Sequence, residues 1–274
     1  MQTTANIWEV LCRDLESERQ TAKAEQYQTI ARKFLETARQ VLRADSPRLC
    51  DAIEISGDVC QAAGQLPEAA ANFQEALEKA RHLGATASCA RLTAKLALLN
   101  DRLGHAAEAR AHYEQAIALY GELRDHSQHI LLLNQLGALC KREGDYPAAE
   151  KYYQHGMEVA TGVHGANHPE TAIAANNLGV TYTDMGDYVR AENLHMQALS
   201  IRENSFGALH PDVAQSMANL AVVYHFTGHY DKARAFYVGA LKIYERFRAA
   251  DDQEMLNVRA NYDVLLHKLE TSAA

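Results

Sequence analysis

Along most of the chain, small and apolar residues recur at the three- and four-residue steps of an amphipathic helix, and glycines break the runs at regular intervals. The runs pair off. Leu178, Gly179 and Tyr182 share one helical face, Gly186 is placed to stop that helix, and Asp187 is placed to cap the next. Ala191, His195, Ala198 and Leu199 then form the apolar face of a second helix. The unit returns. Leu178 is followed by Leu220, Tyr182 by Tyr224, Gly186 by Gly228, Tyr188 by Tyr230, Ala191 by Ala233 and Ala198 by Ala240, each 42 residues later. A fixed period of this size signals stacked supersecondary units, because one helical hairpin cannot bury its own apolar stripe.

The same frame extends toward the N-terminus. Gly57, Gly64, Pro67, Ala69, Phe73 and Ala76 fit it, as do Leu96, Gly104, Ala109, Tyr113 and Ala116. Leu136, Gly137, Gly144, Tyr146, Ala149, Tyr153 and Gly156 form a third set. Pro67 and Pro147 each fall in the first turn of a second helix, where a missing N–H is harmless. Residues 49–248 therefore read as five hairpins. Residues 1–48 read as a helical cap or degenerate repeat, with Ile7, Leu11 and Leu15 at helical spacing and Trp8 as its anchor. Residues 249–274 read as a capping helix and tail, in which Tyr262 holds the place of Leu220 and Asp263 replaces a small residue. The expected fold is all-α, a right-handed superhelical solenoid of helical hairpins, with first helices on the concave face and second helices on the convex one.

Composition narrows the function. Hydrophobic residues make up 47% with a single Trp, so the core is built from Ala, Leu and Tyr. A net charge of −8 argues against a general binder of nucleic acid or anionic membrane. The five cysteines, Cys12, Cys50, Cys60, Cys89 and Cys140, lack paired short spacings and read as reduced, structural and cytosolic. No leader is expected at the N-terminus, and no run approaches the ~18–20 apolar residues of a membrane span. These features predict a cytoplasmic protein. There is no Gly-rich phosphate loop, nucleophile elbow or HExxH, so no catalysis is expected. The thirteen histidines show no metal spacing on one helix, since Gly228 breaks the helix between His225 and His229, and His168 and His210 close turns before Pro169 and Pro211. No metal or cofactor is expected.

The pattern of Leu-Gly-x-x-Tyr, Gly-x-Tyr and spaced alanines resembles the tetratricopeptide repeat, whose usual period is about 34 residues. The longer period here, with GANHPET at 165–171 and GALHPDV at 207–213, is similar to that of kinesin light chains, and Ala198 to Ala221 follows their ALxIRxxxxGxxHPDVAxxxxNLA run nearly throughout. Repeats without a long coiled coil resemble the bacterial kinesin-light-chain-like proteins. That resemblance implies a protein-binding scaffold associated with a bacterial tubulin filament, and a cytoskeletal location within the cytoplasm. The alternatives are a groove-type peptide-binding adaptor or a secretion or assembly chaperone, and, further off, a peptide-sensing regulator. Oligomeric state stays open.

The candidate binding residues lie on the predicted first helices. Asn177, Asn219 and Asn261 share one register, with Gln135 and Lys95 earlier in it, and Asn134 and Asn176 immediately precede two of its positions. A carboxamide offers one donor and one acceptor, the two groups that read an extended peptide backbone. Groove asparagines of the tetratricopeptide proteins often do this. The competing use is a bond to the neighbouring helix that fixes the stacking. One turn further, Lys141, Arg142, Asp184 and His225 are predicted to face the groove. Kinesin light chains use basic residues here to read acidic-aromatic peptides, and in this chain the positive stripe is broken. Tyr152 and Phe236, beside the slot residues Tyr153 and Tyr237, are expected to pack into the next repeat.

Overall fold

The computed structural model describes Glu9, residues 24–249 and residues 251–273. The expectations for Ile7, Trp8, Leu11, Cys12 and Leu15 lie outside the described residues. The described residues form helices α1 (Ala24–Val41), α2 (Pro47–Ala62), α3 (Leu66–His82), α4 (Thr86–Leu103), α5 (Ala106–Leu123) and α6 (His126–Arg142). They continue as α7 (Tyr146–His164), α8 (Pro169–Asp184), α9 (Tyr188–Phe206), α10 (Pro211–Phe226), α11 (Tyr230–Phe247) and α12 (Gln253–Ala273). No strand occurs among them, and none of the described helices is long and apolar enough to cross a membrane. The chain falls into two compact units, Met1–Gln128 and His129–Ala274.

The glycine breaks work as the spacing predicts. Gly186 takes φ +79°, a conformation open to glycine without a Cβ clash, and Asp187 N–H turns back to the Tyr182 carbonyl at 2.9 Å. The Asp187 carboxylate then accepts the Arg190 N–H at 3.1 Å and caps α9.

In the first unit, α1 packs on α2, and the hairpins α2–α3 and α4–α5 follow. Its core joins Phe34, Ile53, Phe73, Leu77, Leu92 and Leu99. Lys95, in the register of the asparagine ladder, is engaged inside this unit: it lies 2.8 Å from Glu54 and 2.6 Å from Asp58, while Arg91 grips Glu54 at 2.7 Å. Burial pushes the Glu54 carboxyl upward, but its bonds to Arg91 and Lys95 outweigh that and hold it below the usual carboxylate range.

In the second unit, α8–α9 and α10–α11 form hairpins, and α12 closes on α10 and α11 through Met255, Val258 and Leu265. The close approach of paired helices depends on small residues. A Cβ on Gly137 would stand 2.8 Å from the Tyr153 ring, and one on Gly179 would stand 2.8 Å from the His195 ring. Phe236 leans on Tyr224 with ring centroids 5.5 Å apart, inside the same core as Tyr237. None of the four described cysteines, Cys50, Cys60, Cys89 and Cys140, is in a disulfide.

Candidate functional site

Nearly every polar candidate lies in the second unit, on α6, α8, α10 and α12. Three polar bridges join these helices in succession. Lys141 Nζ sits 3.2 Å from Asp184 Oδ2, linking α6 to α8. Asn219 Nδ2 donates to Asn176 Oδ1 at 2.8 Å, linking α8 to α10. Gln215 Nε2 donates to Glu254 Oε1 at 3.4 Å, linking α10 to α12. Lys141, Asp184, Asn176 and Asn219 thus partner one another. The Lys141–Asp184 pair is partly exposed and contributes at most about 1 kcal/mol. The amide bond is better shielded, because Asn176 is only 5% exposed.

The ladder is incomplete one repeat earlier. Asn134 and Asn177 stand in the same relation as Asn176 and Asn219, yet no bond joins them. Asn134 Oδ1 is shut from solvent without a hydrogen-bond partner. Asn177 is half-buried, and its carboxamide makes no hydrogen bond among the described residues. Gln135, half-buried, and Asn261, exposed, likewise keep their amides unpaired among the described residues. Between α10 and α12 a pocket of about 190 Å³ opens, lined by Asn219, Val222, Asn257 and Asn261 among others. The amides of Gln135, Asn177 and Asn261 can each give and take one bond with an extended backbone.

His225 belongs to a different feature. Its ring lies 5.8 Å from Phe226 and 6.1 Å from Tyr230, and Phe226 in turn stacks on Tyr188 at 5.7 Å. Burial, and then the Lys268 charge, push His225 below its ordinary pKa, so it is neutral at pH 7. Phe226 is 64% exposed. The tips of two successive hairpins therefore carry an open aromatic cluster. The sequence pattern predicts His225 in the groove and gives no sign of Tyr188, whose ring reaches the cluster from the start of α9. Arg142, at the end of α6, is exposed.

A second cleft of about 490 Å³ lies on α7, α8 and α9, lined by Met157, Leu178, Tyr182, Arg190 and Leu194. The Arg190 guanidinium covers the Tyr182 ring at 3.9 Å, and the Tyr182 hydroxyl donates to Glu150 at 2.6 Å. Burial, followed by that bond to Glu150, raises the Tyr182 pKa, so the hydroxyl stays protonated as a donor. The arrangement fixes the Tyr182 ring and hydroxyl in place. It sets no base beside a nucleophile.

The sequence profile of the tetratricopeptide repeat matches residues 48–122, 128–204 and 182–246. No curated protein gives a significant sequence match. Among solved structures, the crystal structure of BtubC (BKLC) from P. vanneervenii aligns with a TM-score of 0.70 and 29% identity, covering 85% of this chain and 96% of that one. The apo form of RapI aligns with a TM-score of 0.65 and 15% identity, covering 72% and 70%, a likeness of fold alone. With matched repeats over most of its length and a hairpin stack in each unit, the chain belongs to the tetratricopeptide repeat family.

Proposed function

We propose that this chain is a non-enzymatic protein-binding scaffold that associates with a bacterial tubulin filament. The observation that carries the reading is the alignment with BtubC, which spans 96% of that chain at 29% identity. The kinesin-light-chain-like run from Ala198 to Ala221 supports it from the sequence side. The reading implies a cytoplasmic, cytoskeleton-associated protein. A filament subunit is folded and offers few extended segments, so the exposed aromatic tips around Tyr188 and Phe226 suit it better than the amide groove. Co-sedimentation with bacterial tubulin polymerised with GTP, at several salt concentrations, tests it. Saturable pelleting near one chain per tubulin heterodimer is expected. Pelleting no greater than in the filament-free control overturns the proposal.

The unmade Asn134–Asn177 rung favours a second reading, a peptide-binding adaptor or assembly chaperone. Asn219 is a poor probe for it, because its amide also ties α10 to α8. The double substitution Asn177→Ala and Asn261→Ala removes amides that hold no partner. It is expected to weaken a groove-bound segment about tenfold, the loss of one to two hydrogen bonds, with an unchanged melting temperature. Unchanged affinity for the captured partner would move the binding surface away from the amides.

A further inference from the structure

The loop between α7 and α8 gathers three ligand-type side chains. His164 closes α7, His168 is the N-cap of α8, and Glu170 lies in its first turn. One donor atom from each lies within 4.8 Å of the others. The two imidazoles stack with centroids 4.5 Å apart and planes 23° apart. The His168 Nδ1 accepts the Glu170 N–H at 3.3 Å, which holds the ring over the helix start.

Glu170 Oε2 is the unexplained atom. It is closed to solvent and has no hydrogen-bond partner, although His164 Nε2 stands only 2.9 Å away. The two atoms are close, but the imidazole N–H is not aimed at the oxygen. A buried carboxylate oxygen without a donor is costly, and an ion is one of the few things that resolve it.

The same loop one repeat later shows what the fold itself requires. There Phe206, His210 and Asp212 occupy the three places. Phe206 stacks on His210 at 4.6 Å, and His210 Nδ1 accepts the Asp212 N–H at 3.2 Å. An apolar ring is therefore enough to cover the capping histidine. The imidazole at position 164 supplies a donor that stacking and capping do not use.

We propose that His164, His168 and Glu170 bind a divalent transition-metal ion of the zinc type, with water completing its shell. Two imidazoles and one carboxylate suit zinc, nickel or cobalt, and not calcium or magnesium, which prefer all-oxygen sites. Donors around a tetrahedral ion with bonds of about 2.1 Å stand about 3.4 Å apart. Rotation of the exposed His164 closes the present spread. His168 now holds its ring proton on Nε2, since Nδ1 accepts from the backbone. Binding through Nε2 places the ring proton on Nδ1 and exchanges the long cap bond for a metal bond.

The test is a titration of the full chain with Zn²⁺ and Ni²⁺ against a chromophoric chelator, repeated for His164→Phe and Glu170→Gln. His164→Phe copies the later loop, so its metal-free melt is expected to match the parent and show the fold intact. The parent is expected to bind one ion per chain. Both variants are expected to lose that site, with affinity at least about tenfold weaker. Zn²⁺ is expected to raise the melting temperature of the parent alone. No bound ion in the parent, or the same affinity in His164→Phe, overturns the proposal, the latter meaning uptake by other histidines. Equal competition by Ca²⁺ overturns the assignment of metal class.

Discussion

Tyr237→Ala is expected to lower the stability of the second unit by about 3–5 kcal/mol, the usual range for emptying a buried aromatic site. Tyr237 is 1% exposed, and its ring enters the core formed by Leu220, Ala221, Ala233, Ala240 and Leu241. It also meets Tyr262 of α12 with centroids 5.9 Å apart. One side chain thus holds its own hairpin and the helix that follows. In a repeat array each unit is stable mainly through its neighbours, so the cavity is expected to loosen α12 together with α11. Urea unfolding followed by circular dichroism checks the size of the loss, and hydrogen exchange along α12 checks its reach. Phe236→Ala, at a half-buried position, is the comparison and is expected to cost less. A loss below about 1 kcal/mol for Tyr237→Ala would show that the slot is not what binds the hairpins.

That slot was legible in the sequence because each repeat builds it from its own residues. Gly57 faces Phe73, Gly137 faces Tyr153, and Gly179 faces His195, each pair sixteen residues apart. The hairpins and their caps follow from the same local chemistry. A bond to the neighbouring helix was one of the two uses expected of the asparagines, but the partners in the polar bridges were not legible, because each depends on an offset between repeats. Asn176 and Asn219, like Lys141 and Asp184, are 43 residues apart, and the bond runs from one repeat into the next. Read one register at a time, these side chains look like groove donors. The structure turns four of them toward each other and leaves Gln135, Asn177 and Asn261 unpaired. The loop triad escaped for a similar reason. His164 ends one helix and Glu170 begins the next, so no single-helix spacing unites them, although an H-x₃-H-x-E run was there to be read. Spacing predicts a groove position for His225, and the structure adds its aromatic neighbours, which come from the starts of α9 (Tyr188) and α11 (Tyr230).

His195→Phe is expected to make the protein more stable in mild acid and to flatten its stability profile between pH 7 and pH 4.5. His195 occupies the aromatic slot of α9 at 1% exposure, and among the described residues neither ring nitrogen makes a well-aimed hydrogen bond. Burial, and secondarily the nearby Arg202 charge, push its pKa from the ordinary 6.5 down to about 4. Below pH 6.5 the unfolded chain takes up a proton that the folded chain refuses. Stability therefore falls as pH drops through that window, and the loss is complete only below pH 4, where it amounts to about 3 kcal/mol. At pH 5 about 2 kcal/mol of it is already present. Phenylalanine removes the titration, and Phe73 facing Gly57 shows that a phenyl ring fits this slot opposite glycine. Carboxylates that titrate in the same range contribute equally to both proteins, so the difference between them isolates position 195. Chemical unfolding of the two proteins at pH 5 and pH 8 measures that difference. A gap that is the same at both pH values would mean that His195 carries its proton inside the fold, and that the slot admits water or an acceptor for its N–H groups.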